Sequence, residues 1–174
     1  MDRARPYRAH GENVSRPGTG SMEGGGMTVR WVFYESWQME CCGTPFSVGQ
    51  EVSWPLRPVD PEDVLGEHCD KEKYGGMLLV EQHLDPGPEI TGRVRAIRLV
   101  HRVYEETGPG SRTFVPTPDE AFLEDVDRCP EWFGREKLPE PAAGSGPRRE
   151  RSATGVLVAL DVPDAAPVAP RDRP

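Results

Sequence analysis

The sequence predicts a mainly β protein of the α+β type, with a small curved antiparallel sheet or partly open barrel of five to six strands and one short helix. Several short segments alternate apolar and polar residues with the period of a strand, and they are rich in aromatic and β-branched types. The 19 glycines and 19 prolines punctuate the chain between these segments. One segment carries a helix N-cap pattern followed by apolar residues.

The length of 174 residues fits one domain with loose ends. Residues 1–26 lack periodicity and large apolar side chains, so we expect a disordered leader there, and we expect a disordered tail at 163–174. Glu23–Gly26 reads as a translated purine-rich ribosome-binding sequence, and Met27 follows it directly. We therefore expect translation to start at Met27, with a genuine flexible leader as the alternative.

Two strands are predicted at the start of the core. Residues 29–39 and 46–56 each place large apolar side chains on one parity, as strands do. Residues 40–45 contain Gly and Pro and are typical of a turn. Together, residues 29–56 predict a hairpin.

The middle of the chain combines a loop with a short buried strand. Residues 57–75 are dominated by Pro, Asp, Glu and Lys, which favours a loop with a helical turn at 61–65. The apolar run 77–80 indicates a buried strand, and 85–88 a turn.

A longer strand is predicted at residues 90–104. Its apolar pattern changes phase along the segment, which predicts a bulge that curves the strand around a small barrel. A helix through Val94, Ile97 and His101 is the alternative.

The last third of the core predicts one helix and one closing strand. Thr117–Glu120 forms a capping box, which favours a helix over 118–127. The β-rich core then spans 27–134, and a polar linker at 135–152 leads to a strand at 153–162 that closes the sheet.

The charge distribution bears on partners. The formal net charge is −8, and residues 27–134 carry twenty acidic against ten basic side chains. This field disfavours duplex nucleic acid and anionic membranes, whereas a protein partner or a metal cation fits it. No long apolar segment or signal sequence is present, so we expect a cytoplasmic protein without a membrane span.

Cysteine and histidine residues form one candidate site. The candidate metal or thiol residues are Cys41, Cys42, His68, Cys69 and His83, with His101 and Cys129 further along. Their spacing lacks a C-x-x-C or H-x-x-x-H pattern, so packing as small apolar residues is the first interpretation. A zinc site is the second. A redox pair, either a vicinal Cys41–Cys42 disulfide or a Cys69–Cys129 bridge, is the third.

Aromatic residues form a second candidate site. Trp31, Trp37, Phe46 and Trp54 lie close together in sequence and are expected to fill the barrel core, with Trp37 as the exposed exception. The alternative is a binding surface formed by Trp37, Glu40, Phe46 and Trp54.

The remaining charged residues form no pattern that is typical of a catalytic site. Carboxylates such as Glu35, Glu40 and Glu51 are typical of a solvated face, and no nucleotide-binding or nucleophile motif is present. A basic stripe at Arg93–Arg102 either neutralises the surrounding acids or meets single-stranded nucleic acid.

One block of sequence resembles a known family. Residues 37–54 read W-Q-x-E-C-C-G-x-P-F-x-V-G-x-x-V-x-W, with T-G-R-V-x-x-I at 91–97 and G-x-L-V-x-L-D at 155–161. Over residues 27–162 the chain resembles a family of small actinobacterial proteins of unknown function. The resemblance implies no catalytic residues.

These observations favour a non-enzymatic binding or interaction module whose functional surface is the Trp37–Phe46 turn. A zinc-binding or thiol-redox protein that uses Cys41 and Cys42 is the alternative. A single-strand nucleic-acid binder through Arg93–Arg102 is the weaker alternative.

Overall fold

The computed structural model describes residues 26–84, 88–139 and 146–164. Its elements in chain order are β1 (Met27–Glu35), α1 (Ser36–Cys42), β2 (Glu51–Pro58), α2 (Pro61–Leu65), α3 (Lys71–Tyr74), β3 (Leu78–Val80), β4 (Glu89–Glu106), β5 (Phe114–Val126), β6 (Arg135–Lys137) and β7 (Arg149–Pro163). The predicted leader up to residue 25, most of the turn at 85–88 and the tail from residue 165 lie outside the described residues.

Five of the strands close into a barrel in the order β1, β3, β2, β4 and β7, and β7 pairs again with β1. The prediction of a mainly β, barrel-like fold is therefore confirmed. The ring is closed rather than partly open. It is also mixed rather than antiparallel, because β1 and β3 run parallel. β5 and β6 extend the sheet beyond the ring by pairing with β4 and β7.

The predicted hairpin over residues 29–56 is wrong. β3 lies between β1 and β2, with Val32 opposite Leu78 and Leu56 opposite Val80. The first strand also ends at Glu35, where the chain turns into helix α1. The period-2 pattern fails here because the helix buries two successive residues, Gln38 and Met39, against the barrel.

The bulged strand is confirmed, and the alternative helix at this segment is wrong. β4 runs for 18 residues, pairs first with β2 and later with β5, and pairs with β7 over most of its length. Its register against β7 shifts between Val94 and Ala96 and again between Val100 and His101. These irregularities let one strand curve around the barrel.

The predicted helix over 118–127 is wrong, because this segment belongs to β5. The second half of β4 offers an unpaired edge, and β5 completes it as an antiparallel neighbour. The hydroxyl of Thr117, expected to cap a helix, donates instead to the carbonyl oxygen of Val103 at 3.0 Å. Strand pairing thus overrides a local capping pattern.

Two apolar clusters hold the fold together. The barrel interior contains the alternate face of each ring strand, including Val32 and Tyr34 of β1. The outer cluster packs Phe33 beneath Val64 and Tyr74 of the short helices α2 and α3. The apolar residues on the predicted parity of β1, Trp31 and Phe33, therefore pack in the outer cluster, and the expectation that Trp31 fills the barrel core is wrong. The predicted helical turn at 61–65 is confirmed as α2, and the buried strand at 77–80 is confirmed as β3.

The described parts of the chain contain no helix that is long and apolar enough to cross a membrane. β7 begins at Arg149 and ends at Pro163, so it extends the predicted strand at 153–162 in both directions. It provides the last two neighbours of the ring.

Candidate metal and thiol site

Helix α1 ends on two adjacent cysteines at the surface of the barrel. Cys41 and Cys42 are both exposed and are joined as a vicinal disulfide. The backbone N–H of Gly43 makes the last hydrogen bond of the helix, to the carbonyl oxygen of Met39 at 2.9 Å, and the helix stops because the Gly43 backbone is extended. The end of this helix therefore presents both sulfur atoms to solvent.

His83 reaches the same place from the loop that follows β3. Its Nε2 atom lies 3.4 Å from the Sγ of Cys41 and 3.3 Å from the Sγ of Cys42. The indole of Trp37 stacks on the imidazole ring with 5.1 Å between ring centroids, and Trp37 is 52% exposed. The three ligand atoms of Cys41, Cys42 and His83 all lie within 4.8 Å of one another.

Gln38 fastens the loop to the helix. This side chain is fully buried, and its Nε2 donates to the carbonyl oxygen of Val80 at 3.0 Å and to the carboxylate of Glu35 at 2.9 Å. Its Oε1 accepts from the backbone N–H of Gln82 at 3.2 Å. The residue next to His83 is thus tied to the helix that carries the cysteines.

Glu81 fixes the loop from the other side. Its buried carboxylate accepts from the backbone N–H groups of His83 at 2.9 Å and Leu84 at 3.1 Å, and from Nε of Arg57 at 3.3 Å. The donated N–H of His83 is the main reason that the pKa of Glu81 lies below its usual range, although burial opposes the shift. Two buried polar side chains, Gln38 and Glu81, therefore hold His83 over the sulfur pair.

This arrangement has the chemistry of a soft-metal or thiol site. Thiolate sulfur and imidazole nitrogen are preferred ligands of zinc and of other thiophilic ions. A tetrahedral zinc ion, with Zn–S of about 2.3 Å and Zn–N of about 2.0–2.1 Å, holds a sulfur and a nitrogen ligand about 3.5 Å apart. The observed sulfur–nitrogen distances of 3.3 and 3.4 Å are close to that value.

The other predicted ligands lie outside this group. Among the described residues, His68 and Cys69 contribute no atom to the cluster of Cys41, Cys42 and His83. Cys69 and Cys129 are free thiols, so the alternative bridge between them is wrong. Cys129 is fully buried, and burial raises the pKa of its thiol to about 12. It packs as a small apolar residue of the barrel interior.

His101, the remaining histidine that we considered, lies in β4. Its Nε2 pairs with the carboxylate of Glu124 at 2.8 Å, and its ring stacks on Phe122 at 4.7 Å between centroids. It therefore joins β4 to β5.

The predicted aromatic surface is divided by the barrel wall. Phe46 and Trp54 are buried, and their rings pack edge to face with centroids 4.9 Å apart. Trp37 is exposed, as expected for the residue beside the turn. Glu40 is partly buried, and its carboxylate accepts from the backbone N–H of Phe133 at 2.8 Å. Of the four residues, Trp37 alone is a large exposed ring beside the cysteines.

The arginines of the predicted basic stripe interact with the protein itself. Arg95 and Arg98 form ion pairs with aspartates, at 3.6 and 2.7 Å. Arg93 and Arg102 donate to backbone carbonyl oxygens. These contacts favour the interpretation in which the arginines neutralise neighbouring acidic side chains and bind neighbouring elements of the fold.

Sequence reasoning missed the two positioning residues, Gln38 and Glu81. Glu81 directly follows the apolar run 77–80, and an acidic residue at the end of a buried strand is a signal of a buried hydrogen-bonded carboxylate. Gln38 and Cys42 are four residues apart, which places them on one helix face once the segment is known to be helical.

Similarity to known proteins is found at the level of a protein family. Residues 27–162 match a family of unknown function, DUF6578, and the match covers the barrel from the start of β1 to the penultimate residue of β7. The resemblance to a family of unknown function over this range is confirmed. No curated protein and no solved structure matches the chain significantly. The chain therefore belongs to the DUF6578 family, whose function is unknown.

Proposed function

We propose that this protein is a non-enzymatic binding module for a thiophilic metal ion. Zinc is the reference ion, and the ligands are Cys41, Cys42 and His83 with both cysteines as thiolates. The observation that carries the proposal is the position of His83 Nε2, 3.3 and 3.4 Å from the two sulfur atoms. These distances match two ligands of one tetrahedral ion, about 3.5 Å apart.

The net charge of the chain and the types of the three ligands support a cation rather than an apolar ligand. The chain carries a formal net charge of −8, and two thiolates and a neutral imidazole suit a divalent ion. Zinc binding by thiols releases protons, so the affinity rises with pH.

The fourth coordination position remains for water or for a group from a partner. Structural zinc sites use four protein ligands, whereas sites with three protein ligands keep one position open. The exposure of all three side chains gives an external ligand access to that position. Trp37 lies against His83 and supplies an exposed aromatic surface beside it. The sequence predicted an interaction surface over the Trp37–Phe46 segment. In this proposal the interaction surface consists of Trp37 and the bound ion.

The test is a zinc titration of the reduced protein under nitrogen, with a phosphine reductant and a chromophoric chelator as competitor. We expect one zinc per chain. We expect His83→Ala and Cys42→Ser to weaken binding by at least tenfold, because each removes a direct ligand.

The chain offers a matched control in its second histidine–cysteine pair. His68→Ala and Cys69→Ser remove the same residue types from outside the cluster, and we expect them to bind zinc like the wild-type protein. Reduced wild-type protein without zinc binding would overturn the proposal, as would a loss of binding in the His68 and Cys69 variants equal to that in the Cys42 variant.

A further inference from the structure

We propose that the Cys41–Cys42 pair is a redox gate on this metal site, so that the disulfide excludes the ion and the dithiol admits it. The inference rests on the proposed metal binding and adds its regulation. It starts from one observation, that the two sulfurs facing His83 are bonded to each other.

The disulfide and a bound zinc ion exclude each other at this site. Disulfide sulfurs are bonded about 2.05 Å apart and carry no negative charge. Two thiolates on one tetrahedral zinc, each about 2.3 Å from the ion, lie about 3.8 Å apart. The same two atoms therefore cannot be bonded to each other and bind the ion through thiolate charge.

The third ligand is held independently of the redox state. The hydrogen bonds that place the loop of His83 come from Gln38 and Glu81, and neither residue is part of the disulfide. Reduction thus creates two ligands beside a third that is already in place. This preorganisation lowers the cost of binding the ion.

The pair is also placed for reaction with a soluble thiol. Cys41 and Cys42 are exposed, whereas Cys129 is fully buried. A thiolate of a small dithiol attacks one sulfur of the pair, breaks the S–S bond and forms a mixed disulfide. The second thiolate of the reductant then attacks that mixed disulfide and displaces the protein's sulfur as a thiolate. The protein gains two electrons and two protons as two thiols, and the reductant becomes a cyclic disulfide. Zinc binding then releases the two thiol protons.

Linkage fixes the size of the effect. An ion that binds only the reduced form stabilises it by the factor 1 + [Zn]/Kd. For a two-electron couple, each tenfold factor raises the reduction potential by about 30 mV, so free zinc at one hundred times Kd raises it by about 59 mV. The reciprocal effect is a loss of zinc affinity on oxidation.

The experiment is a redox titration of the full chain in dithiothreitol buffers, with and without free zinc set by a metal buffer. The fraction of the Cys41–Cys42 disulfide is read by acid quench, alkylation and mass spectrometry. At free zinc one hundred times the Kd of the reduced protein, we expect the midpoint to rise by about 59 mV. We expect His83→Ala to keep a disulfide couple but to lose at least about half of the zinc-dependent shift, because a tenfold weaker affinity leaves about 31 mV of it. We expect His68→Ala to keep the whole shift.

Four outcomes overturn the gate, and they differ in what they say of the metal site. A zinc-independent midpoint in a protein whose reduced form binds zinc, or equal zinc affinity of both forms, overturns the gate alone. Free thiols at Cys41 and Cys42 at every potential also overturn the gate and leave the metal site standing. A reduced protein that binds no zinc overturns both.

Discussion

His83 Nε2 lies 3.3 Å from the Sγ of Cys42, although the two residues are 41 positions apart in the sequence. The connection between them passes through β2, α2, α3 and β3, so closure of the barrel is what brings them together. β3 pairs with both β1 and β2, and its end delivers His83 to the end of α1. The site therefore depends on the global fold. Substitutions that disturb β3 are expected to lower the stability of the barrel and to disrupt the site.

The free cysteines predict a thiol count for the unreduced protein. In the native state we expect Ellman's reagent to react with the partly buried Cys69, and with Cys129 only on unfolding, because Cys129 is fully buried with its pKa raised to about 12. Unfolding without a reductant should then reveal two thiols per chain. Four thiols in that sample, or Cys129 reacting as fast as Cys69, would contradict the assigned disulfide and burial.

Gln38→Ala is expected to loosen the loop that carries His83. It leaves the backbone groups of Val80 and Gln82 without their partner, so the free energy of unfolding should fall by about 1–3 kcal/mol. Zinc affinity of the reduced protein should fall about tenfold to a hundredfold, as for other residues that orient ligands. Urea unfolding and the zinc titration measure the two effects.

The control is Gln50→Ala, which removes an exposed glutamine that accepts from the backbone N–H of Ser47. Its free energy of unfolding should stay within about 0.5 kcal/mol of the wild type, and its zinc affinity should be unchanged. Unchanged zinc affinity in both variants would show that Gln38 does not position the site.

Glu106 predicts a pH dependence of stability. Its buried carboxylate accepts from Arg148 at 2.7 and 3.0 Å, and these hydrogen bonds hold the pKa of Glu106 below its usual range. A carboxyl group with a lowered folded-state pKa stabilises the protein above its unfolded pKa of about 4.3, and this contribution is lost as the pH falls through the folded value. Glu106→Gln should therefore be less stable than wild type at pH 7.

That difference should shrink as the pH falls below about 4.3. Urea unfolding at several pH values measures it. The exposed position Glu67 provides a control, because Glu67→Gln should change the free energy of unfolding by less than about 0.5 kcal/mol at each pH. A difference between wild type and Glu106→Gln that is constant with pH would refute the assigned role of the Arg148 contact.

Gly155 of β7 lies against the backbone of β1, opposite Glu35. A Cβ atom at this position would overlap the carbonyl oxygen of Tyr34 and lie 2.8 Å from ring carbons of Phe33. We expect Gly155→Ala to lower the free energy of unfolding by about 1–3 kcal/mol. Gly108→Ala is the control, because no heavy atom lies within 4 Å of its added Cβ. Equal stability of the two variants would contradict this packing.

The pattern of apolar residues predicted those strands whose burial leaves a mark in the local sequence. The phase change in 90–104 revealed the bulge of β4, and the apolar run 77–80 revealed β3. The parallel pairing of β1 with β3 has no local signal, because partners are chosen by the closure of the whole ring. The capping box at Thr117–Glu120 was misleading because the free edge of β4 offers more hydrogen bonds than an isolated short helix.

The same limit applies to the site. Residue type alone named Cys41, Cys42 and His83 as candidates, but it named His68 and Cys69 equally. The fold distinguishes the two sets, because the end of β3 carries His83 to α1. The predicted strand placed Gln38 on the polar parity, so its burial was not predicted. In the helix that forms instead, the side chain of Gln38 points inward.

X-ray absorption at the zinc edge of the reduced, zinc-loaded protein tests the central claim most directly. The proposed site predicts two sulfur neighbours at about 2.3 Å and at least one nitrogen at about 2.0–2.1 Å, with one fewer nitrogen in a zinc-loaded His83→Ala variant. A first shell of oxygen and nitrogen alone would place the ion elsewhere and contradict the assignment of Cys41 and Cys42 as its ligands.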